Sequence, residues 1–241
     1  MPNNYFQFKQ FKIYQDKCAM KVCTDACLFG AWAAEQMQNE KVKIKNILDI
    51  GTGTGLLSLM LAQKLNAKID AVEIDEQAAL QAKENFEASP WKEQLAVFNT
   101  SIQQFNSTIT YDLIICNPPF FKQSLRSANY QKNVAKHSGS LFLNELNNIV
   151  LKLLKPEGRF AILLPYTEFR RFEIAAQQEQ LNLEHKANIQ QMHEHSFFRT
   201  IGIFSKQPTP EAIYETLSIR DVQNCYAPRF TELLKDYYLH L

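Results

Sequence analysis

The spacing of apolar positions changes character several times along the chain, and each change predicts an element. Residues 5–14 (Tyr5 to Tyr14) alternate apolar and polar at several positions, predicting one or two short strands or a hairpin. Thr24-Asp25 can cap a helix over Ala26–Gln38, with Leu28, Ala31 and Trp32 on one face. From Asn46 the pattern settles into alternation. Apolar strands are predicted at Asn46–Ile50, Lys68–Glu73, Leu95–Phe98, Tyr111–Cys116, Arg159–Leu164, Leu183–Ile189 and Thr200–Phe204. Helices are predicted over Leu56–Lys64, from Asp75 to Ala88, over Leu141–Leu154 and from Thr167 to Gln180. Lys155-Pro156-Glu157-Gly158 stops the third of these, proline and glycine standing past the helix end. The last two strands read as antiparallel, and Phe230–Leu239 reads as a terminal helix.

Strand–helix alternation of this kind argues for an α/β fold: a doubly wound, mostly parallel seven-stranded sheet with helices on both faces. We expect one domain, with an N-terminal β extension over 1–45, a core over 46–205 and a C-terminal extension with a helix over 206–241. The 46% apolar content of the 241 residues is enough for a sizeable core. No apolar run approaches the roughly 18 residues of a membrane helix. Met1–Tyr5 has no basic stretch leading into an apolar one, so a cytoplasmic location is expected. Five cysteines at irregular spacing (18, 23, 27, 116 and 225) are expected to be buried free thiols rather than a metal site or a disulfide set. His193-x-His195 has no further ligands evident beside it.

Two stretches carry chemistry. The first is Asp49-Ile50-Gly51-Thr52-Gly53-Thr54-Gly55, between a strand and a helix, where glycines let backbone approach a ligand closely. A dinucleotide site wants its third glycine one place later, where Leu56 stands, and Asp49 would repel a pyrophosphate. A ligand with a cationic head fits better. Glu73, at the end of the next strand, can accept both hydroxyls of a ribose, though it would serve NAD equally well. The second is Asn117-Pro118-Pro119-Phe120, closing a strand. The prolines fix φ near about −65° and donate no hydrogen bond. The amide and the ring then form a slot.

The two stretches resemble motifs I and IV of the AdoMet-dependent amino methyltransferases. The resemblance implies S-adenosyl-L-methionine (AdoMet) as cofactor, a Rossmann-like class I methyltransferase fold and no metal. It implies cofactor contacts from Asp49, Gly51, Gly53, Gly55, Glu73 and Asn117, and an adenine contact at Ser101, or at Asn99. Asn117, Pro118 and Phe120 would be catalytic. The Asn117 side-chain carbonyl and the Pro118 backbone carbonyl would each accept one N–H of a planar amino group, and Phe120 would stack on the base. Adenine N6, guanine N2 and a glutamine amide all suit such a slot, and a silent RNA-binding module on the same fold is the non-enzymatic alternative.

The flanks narrow the resemblance. Phe6–Phe11, Gln15–Val22, Thr24-Asp25, Leu28–Trp32, Ser89-Pro90-Trp91, Ile219-Arg220-Asp221 and Thr231–Leu239 are similar to the bacterial tRNA1(Val) adenine-37 N6-methyltransferases over nearly the whole chain. Cys23 departs from the glycine usual there. The implied substrate is the anticodon loop of that tRNA. The net charge is only +1, yet no acid falls between Asp112 and Glu145, where Lys122, Arg126, Lys132 and Lys136 stand. Such a run attracts phosphate, and these four are the candidate RNA contacts. Replacing Lys122 and Arg126 together by alanine should weaken tRNA binding and lower its salt dependence by about two units of slope; an unchanged slope in a salt titration would defeat the assignment.

Overall fold

The structure, a computed structural model, describes residues 3–39, 43–118, 143 and 145–241. Its elements are β1 (Tyr5–Gln7), β2 (Lys12–Tyr14), α1 (Thr24–Asn39), β3 (Asn46–Ile50), α2 (Leu56–Lys64), β4 (Lys68–Glu73), α3 (Glu76–Glu87), β5 (Leu95–Asn99), β6 (Tyr111–Cys116), α4 (145–153), β7 (Leu154–Pro165), α5 (Tyr166–Gln178), β8 (Asn182–Gln190), β9 (Phe197–Ser205), β10 (Ile213–Ser218) and α6 (Pro228–Leu234). β1 and β2 form an antiparallel hairpin. The remaining strands form one sheet of order β10-β8-β9-β7-β6-β3-β4-β5, in which only β9 runs antiparallel to its neighbours.

Successive side chains on a strand point to opposite faces, so a sheet covered on both sides must be apolar at nearly every position. β6 meets that requirement with all six residues buried. Ile47, Leu113, Ile115, Ala161 and Leu163 join one core with α1, α2, α6 and the N-terminal hairpin. Leu48, Ile50, Ile114, Ile162 and Leu164 join the other, where Leu146 and Val150 of α4 and Phe169 and Phe172 of α5 pack. Helices therefore cover both faces, as the alternation implied.

Among the described residues the sheet has eight strands rather than the seven expected. β10 lies in the stretch expected as a C-terminal extension, and its strand character is hidden there because it sits at the sheet edge and buries only Leu217 of its six residues. The Lys155–Gly158 stretch is not a free turn after a helix. β7 begins already at Leu154, which pairs with Tyr111, and the register then shifts so that Leu113 pairs with Arg159. The extra residues are accommodated as a bulge. Two cysteines are as buried as expected (Cys27 and Cys116); Cys18 and Cys23 are half-buried and Cys225 is exposed, and all five are free thiols.

The chain ends fold back onto the main sheet's helices. Phe8 stacks on Phe11 at 4.5 Å between ring centroids, and Phe11 meets Trp91 edge-on at 5.9 Å. Lys9 N donates to Tyr237 O at 2.8 Å, and the Tyr237 hydroxyl donates to Met60 O at 3.1 Å. Asn85 of α3 joins hairpin and glycine loop: its Nδ2 donates to Tyr14 O at 2.9 Å and to Thr54 O at 2.8 Å.

Gly55 is the tightest point of this arrangement. Its φ is +82°, and a Cβ there would overlap the ring of Phe86 on α3. Gly55→Ala should destabilise the protein by about 2–5 kcal/mol, combining left-handed strain with overpacking. A urea unfolding midpoint equal to that of the parent would contradict this packing.

Candidate active site

The order β6-β3-β4-β5 places the topological switch between β3 and β6, since the chain leaves β3 in one direction and returns on its other side. Crevices at the carboxyl ends of strands around such a point are where open α/β sheets bind ligands. Ile50 pairs with Cys116 and with Val72, and Glu73 pairs with Asn99. The next residues along these strands are Gly51 and Asn117. The register thus lines up Asn117, the glycine loop, Glu73 and Asn99 along one edge.

Asp49 is wholly buried at the end of β3. Its Oδ2 accepts hydrogen bonds from Thr52 Oγ1 and Ser58 Oγ, both at 2.7 Å. Its Oδ1 is buried with no hydrogen-bond partner among the described residues. Burial pushes the carboxyl up to about 6, the two hydroxyl donors pull it down, and Glu73 adds to the rise. The loop that follows is fastened to β4. Gly51 N and Thr52 N donate to Val72 O at 2.8 and 3.2 Å, and Gly53 N donates to Glu73 Oε2 at 2.9 Å. Gly51 and Gly53 have φ of +72° and +56°, and a Cβ built on either would meet nothing within 4 Å among the described residues.

Glu73 is nearly buried, with Oε1 accepting from Asp75 N at 3.0 Å. Each carboxylate oxygen holds one backbone amide and retains a further lone pair. Cys18, in the segment after the hairpin, sits close enough that its thiol is pushed up to about 11, by burial first and then by Glu73 and Asp75. Asn99 is spoken for: its Nδ2 donates to Glu73 O at 3.0 Å and to Ile74 O at 3.3 Å. Ser101 opens a turn, its Oγ accepting from Gln104 N at 3.3 Å, and its own proton is left to donate elsewhere.

Asn117 follows β6 directly, and its Oδ1 is buried without a hydrogen-bond partner among the described residues. Pro118 beside it is buried. Pro119, Phe120 and the four basic residues Lys122, Arg126, Lys132 and Lys136 lie outside the described residues. His193 and His195 fall between β8 and β9, and among the described residues no group of three or more possible metal ligands forms.

A family model, the methyltransferase small domain, matches residues 31–163. A protein of Dyadobacter fermentans named tRNA1(Val) (adenine(37)-N6)-methyltransferase is 43% identical over 99% of both chains. One of the same name from Phocaeicola vulgatus is 40% identical over 100% of both. The chain belongs to this methyltransferase family. A crystal structure from Agrobacterium tumefaciens, described as a predicted O-methyltransferase, superposes with a TM-score of 0.67 at 13% identity, covering 88% of this chain and 96% of that one. That likeness shows the class I methyltransferase fold.

Three side chains at the site were not singled out from the sequence. Thr52 and Ser58 hold Asp49; Ser58 is the one hydroxyl in the otherwise apolar first turns of α2, which is a usable signal. Ile74 follows Glu73 and is 73% exposed, an apolar side chain left bare at the strand ends. Nothing in its local pattern distinguishes it from a core isoleucine.

The Asp49 environment has a pH consequence. Its folded value of about 6 exceeds the ordinary 3.8, so the stabilisation of the folded state by the neutral acid is complete below about pH 4. It is lost as pH rises through about 6, because the ionised form is disfavoured by burial. Relative to Asp49→Asn, the ligand-free protein should lose about 3 kcal/mol between pH 4 and 7. Parallel stability curves for the two proteins in urea melts across that window would show Asp49 to be ordinary.

Proposed function

We propose that the chain transfers a methyl group from AdoMet to N6 of adenine-37 in the anticodon loop of tRNA1(Val), forming N6-methyladenosine. The observation that carries this reading is the buried Asn117 Oδ1, an acceptor with no hydrogen-bond partner among the described residues, at the mouth of the switch crevice. An unpaired buried acceptor costs free energy, and an incoming N–H relieves it. The family's name for its members supplies the choice of adenine and of tRNA.

The residues fit the cofactor. No described residue crowds the backbone of Gly51 and Gly53, which suits close approach of a ligand, and the Asp49 Oδ1, without a hydrogen-bond partner among the described residues, suits its ammonium. The spare lone pairs of Glu73 suit ribose hydroxyls, bare Ile74 offers a face to the adenine ring, and the Ser101 hydroxyl can bond its edge. When bound, AdoMet supplies an electrophilic methyl group. The chain's part is positioning. Asn117 Oδ1 and the Pro118 carbonyl each accept one N–H of the substrate amino group, which is a poor nucleophile while its lone pair is delocalised into the ring. Holding both protons favours a pyramidal nitrogen with its lone pair directed along the line of attack. Positioning of this kind contributes up to roughly 7–11 kcal/mol. The nitrogen loses its extra proton to water after transfer, so no strong base is required. Phe120 is assigned the stacking face for the target base, and Lys122, Arg126, Lys132 and Lys136 the tRNA backbone. Such a substrate places the reaction in the cytoplasm.

Bulk tRNA incubated with labelled AdoMet and digested to nucleosides should give label as N6-methyladenosine, in a valine tRNA. Labelled guanosine or labelled protein would sink the proposal. Asn117→Ala should lower turnover by about 10³-fold while leaving AdoMet affinity by calorimetry nearly unchanged.

A further inference from the structure

The carboxyl edge that holds the proposed methyl-transfer site continues past β6. Pro165 ends β7, Gln190 ends β8 beside Phe197 at the start of β9, and Ser218 ends β10 opposite Gln190. Just beyond these ends is a second cavity, of about 250 Å³, whose lining includes Asp25, Gln191, Phe198, Arg220 and Tyr226. It belongs to none of the residues given a role above. Its volume falls below the roughly 300–1,000 Å³ of drug-sized ligand sites. A single planar ring system suits it better than a peptide or a whole cofactor.

The lining has the chemistry of a nucleotide site. Phe198 contributes its ring to the lining, and the Tyr226 ring, stacked on Phe230 at 4.8 Å between centroids, backs an arginine plane. The Arg220 guanidinium lies 4.9 Å from the Tyr226 ring centroid. It is held there by Nη1 donating to Asn224 O at 2.6 Å, while its backbone N donates to Gln191 O at 2.9 Å. Among the described residues it has no carboxylate partner, so its charge remains available to a phosphate. The acids nearby are committed. Asp25 Oδ2 accepts from Arg199 Nε at 2.9 Å, and Asp221 Oδ1 accepts from Gln223 N and Cys225 N. The Gln191 side-chain amide makes no hydrogen bond among the described residues and is exposed, a donor–acceptor pair of the kind that reads a base edge. Single-stranded RNA is recognised by this combination of stacking on aromatics and arginine planes with amide contacts to base edges.

β8 stands three strands from β6, which is about 14 Å at the usual strand spacing. An unpaired RNA strand with one base in the Asn117 slot can run along the same sheet edge toward this cavity. We propose that the cavity receives a base flanking the methylated adenine, stacked on the Arg220 guanidinium plane beside Phe198 and read by the Gln191 amide. This rests on the methyl-transfer reading above, and makes the cavity the place where the enzyme tells one anticodon loop from another.

The test uses the full chain, a fluorescent anticodon stem-loop of the valine tRNA, and variants Gln191→Ala, at an exposed side chain, and Arg220→Gln. Each variant should bind the stem-loop about tenfold more weakly with AdoMet affinity unchanged, and the thermal midpoint of Gln191→Ala should equal that of the parent. Replacing the bases on either side of the adenine, one at a time, should weaken binding to the parent at one position and leave Gln191→Ala indifferent there. Unchanged stem-loop affinity in both variants, or an equal loss for every flanking base, would overturn the proposal. Weakened AdoMet binding would overturn it too, by giving the cavity to the cofactor. Failure of the parent to methylate any tRNA would instead count against the methyl-transfer reading, and the two failures are separately visible.

Discussion

A buried carboxylate governs this end of the sheet. Asp49 lies beyond the reach of solvent at the last turn of a parallel strand, and a charge there is costly unless its oxygens are bonded. One oxygen is held by Thr52 and Ser58, which ties the glycine loop to the first turn of α2. The other is left without a partner among the described residues. The loop is shaped around that carboxylate, and the left-handed backbone at Gly51, Gly53 and Gly55 follows from turning so sharply between a strand and a helix. The partly satisfied acid is expensive in isolation and is compensated when a cation meets it.

The same logic recurs one strand away. Asn117 presents a second acceptor without a partner among the described residues, and β3 and β6 are paired in register so that the two lie at one crevice. Glu73 performs two jobs with one carboxylate, fastening Gly53 and Asp75 through backbone amides while keeping lone pairs free. Behind these groups the structure is conventional. Two apolar cores sandwich the sheet, and the N-terminal hairpin and C-terminal residues lock over α2 and α3 through Tyr237 and Asn85.

Much of this was legible along the chain. Parallel strands covered on both faces must be apolar throughout, and short runs such as Leu113-Ile114-Ile115 announce themselves. The hairpin at residues 5–14, the helix over 24–39 and the antiparallel pair near the end were legible for similar reasons of period and length. β10 was not, because an edge strand with a single inward residue leaves almost no periodic trace. The β7 bulge was also hidden: a proline and a glycine after a helical run look like a stop, and only pairing with β6 turns them into part of a strand.

For the site the division is sharper. Asp49, the three glycines, Glu73 and Asn117 are marked by residue type at strand ends, so the sequence by itself determined which groups would gather and what class of ligand they suit. It could not determine which of their atoms would be satisfied. Whether Asn99 or Ser101 is free to meet a ligand depends on Asn99 turning its amide to the carbonyls of Glu73 and Ile74. The exposure of Ile74, and the meeting of Asp25, Gln191, Phe198, Arg220 and Tyr226 around one cavity, depend on contacts far apart in the chain. Hydrogen-bond satisfaction and exposure are properties of neighbours in space, and only the tertiary structure decides who those neighbours are.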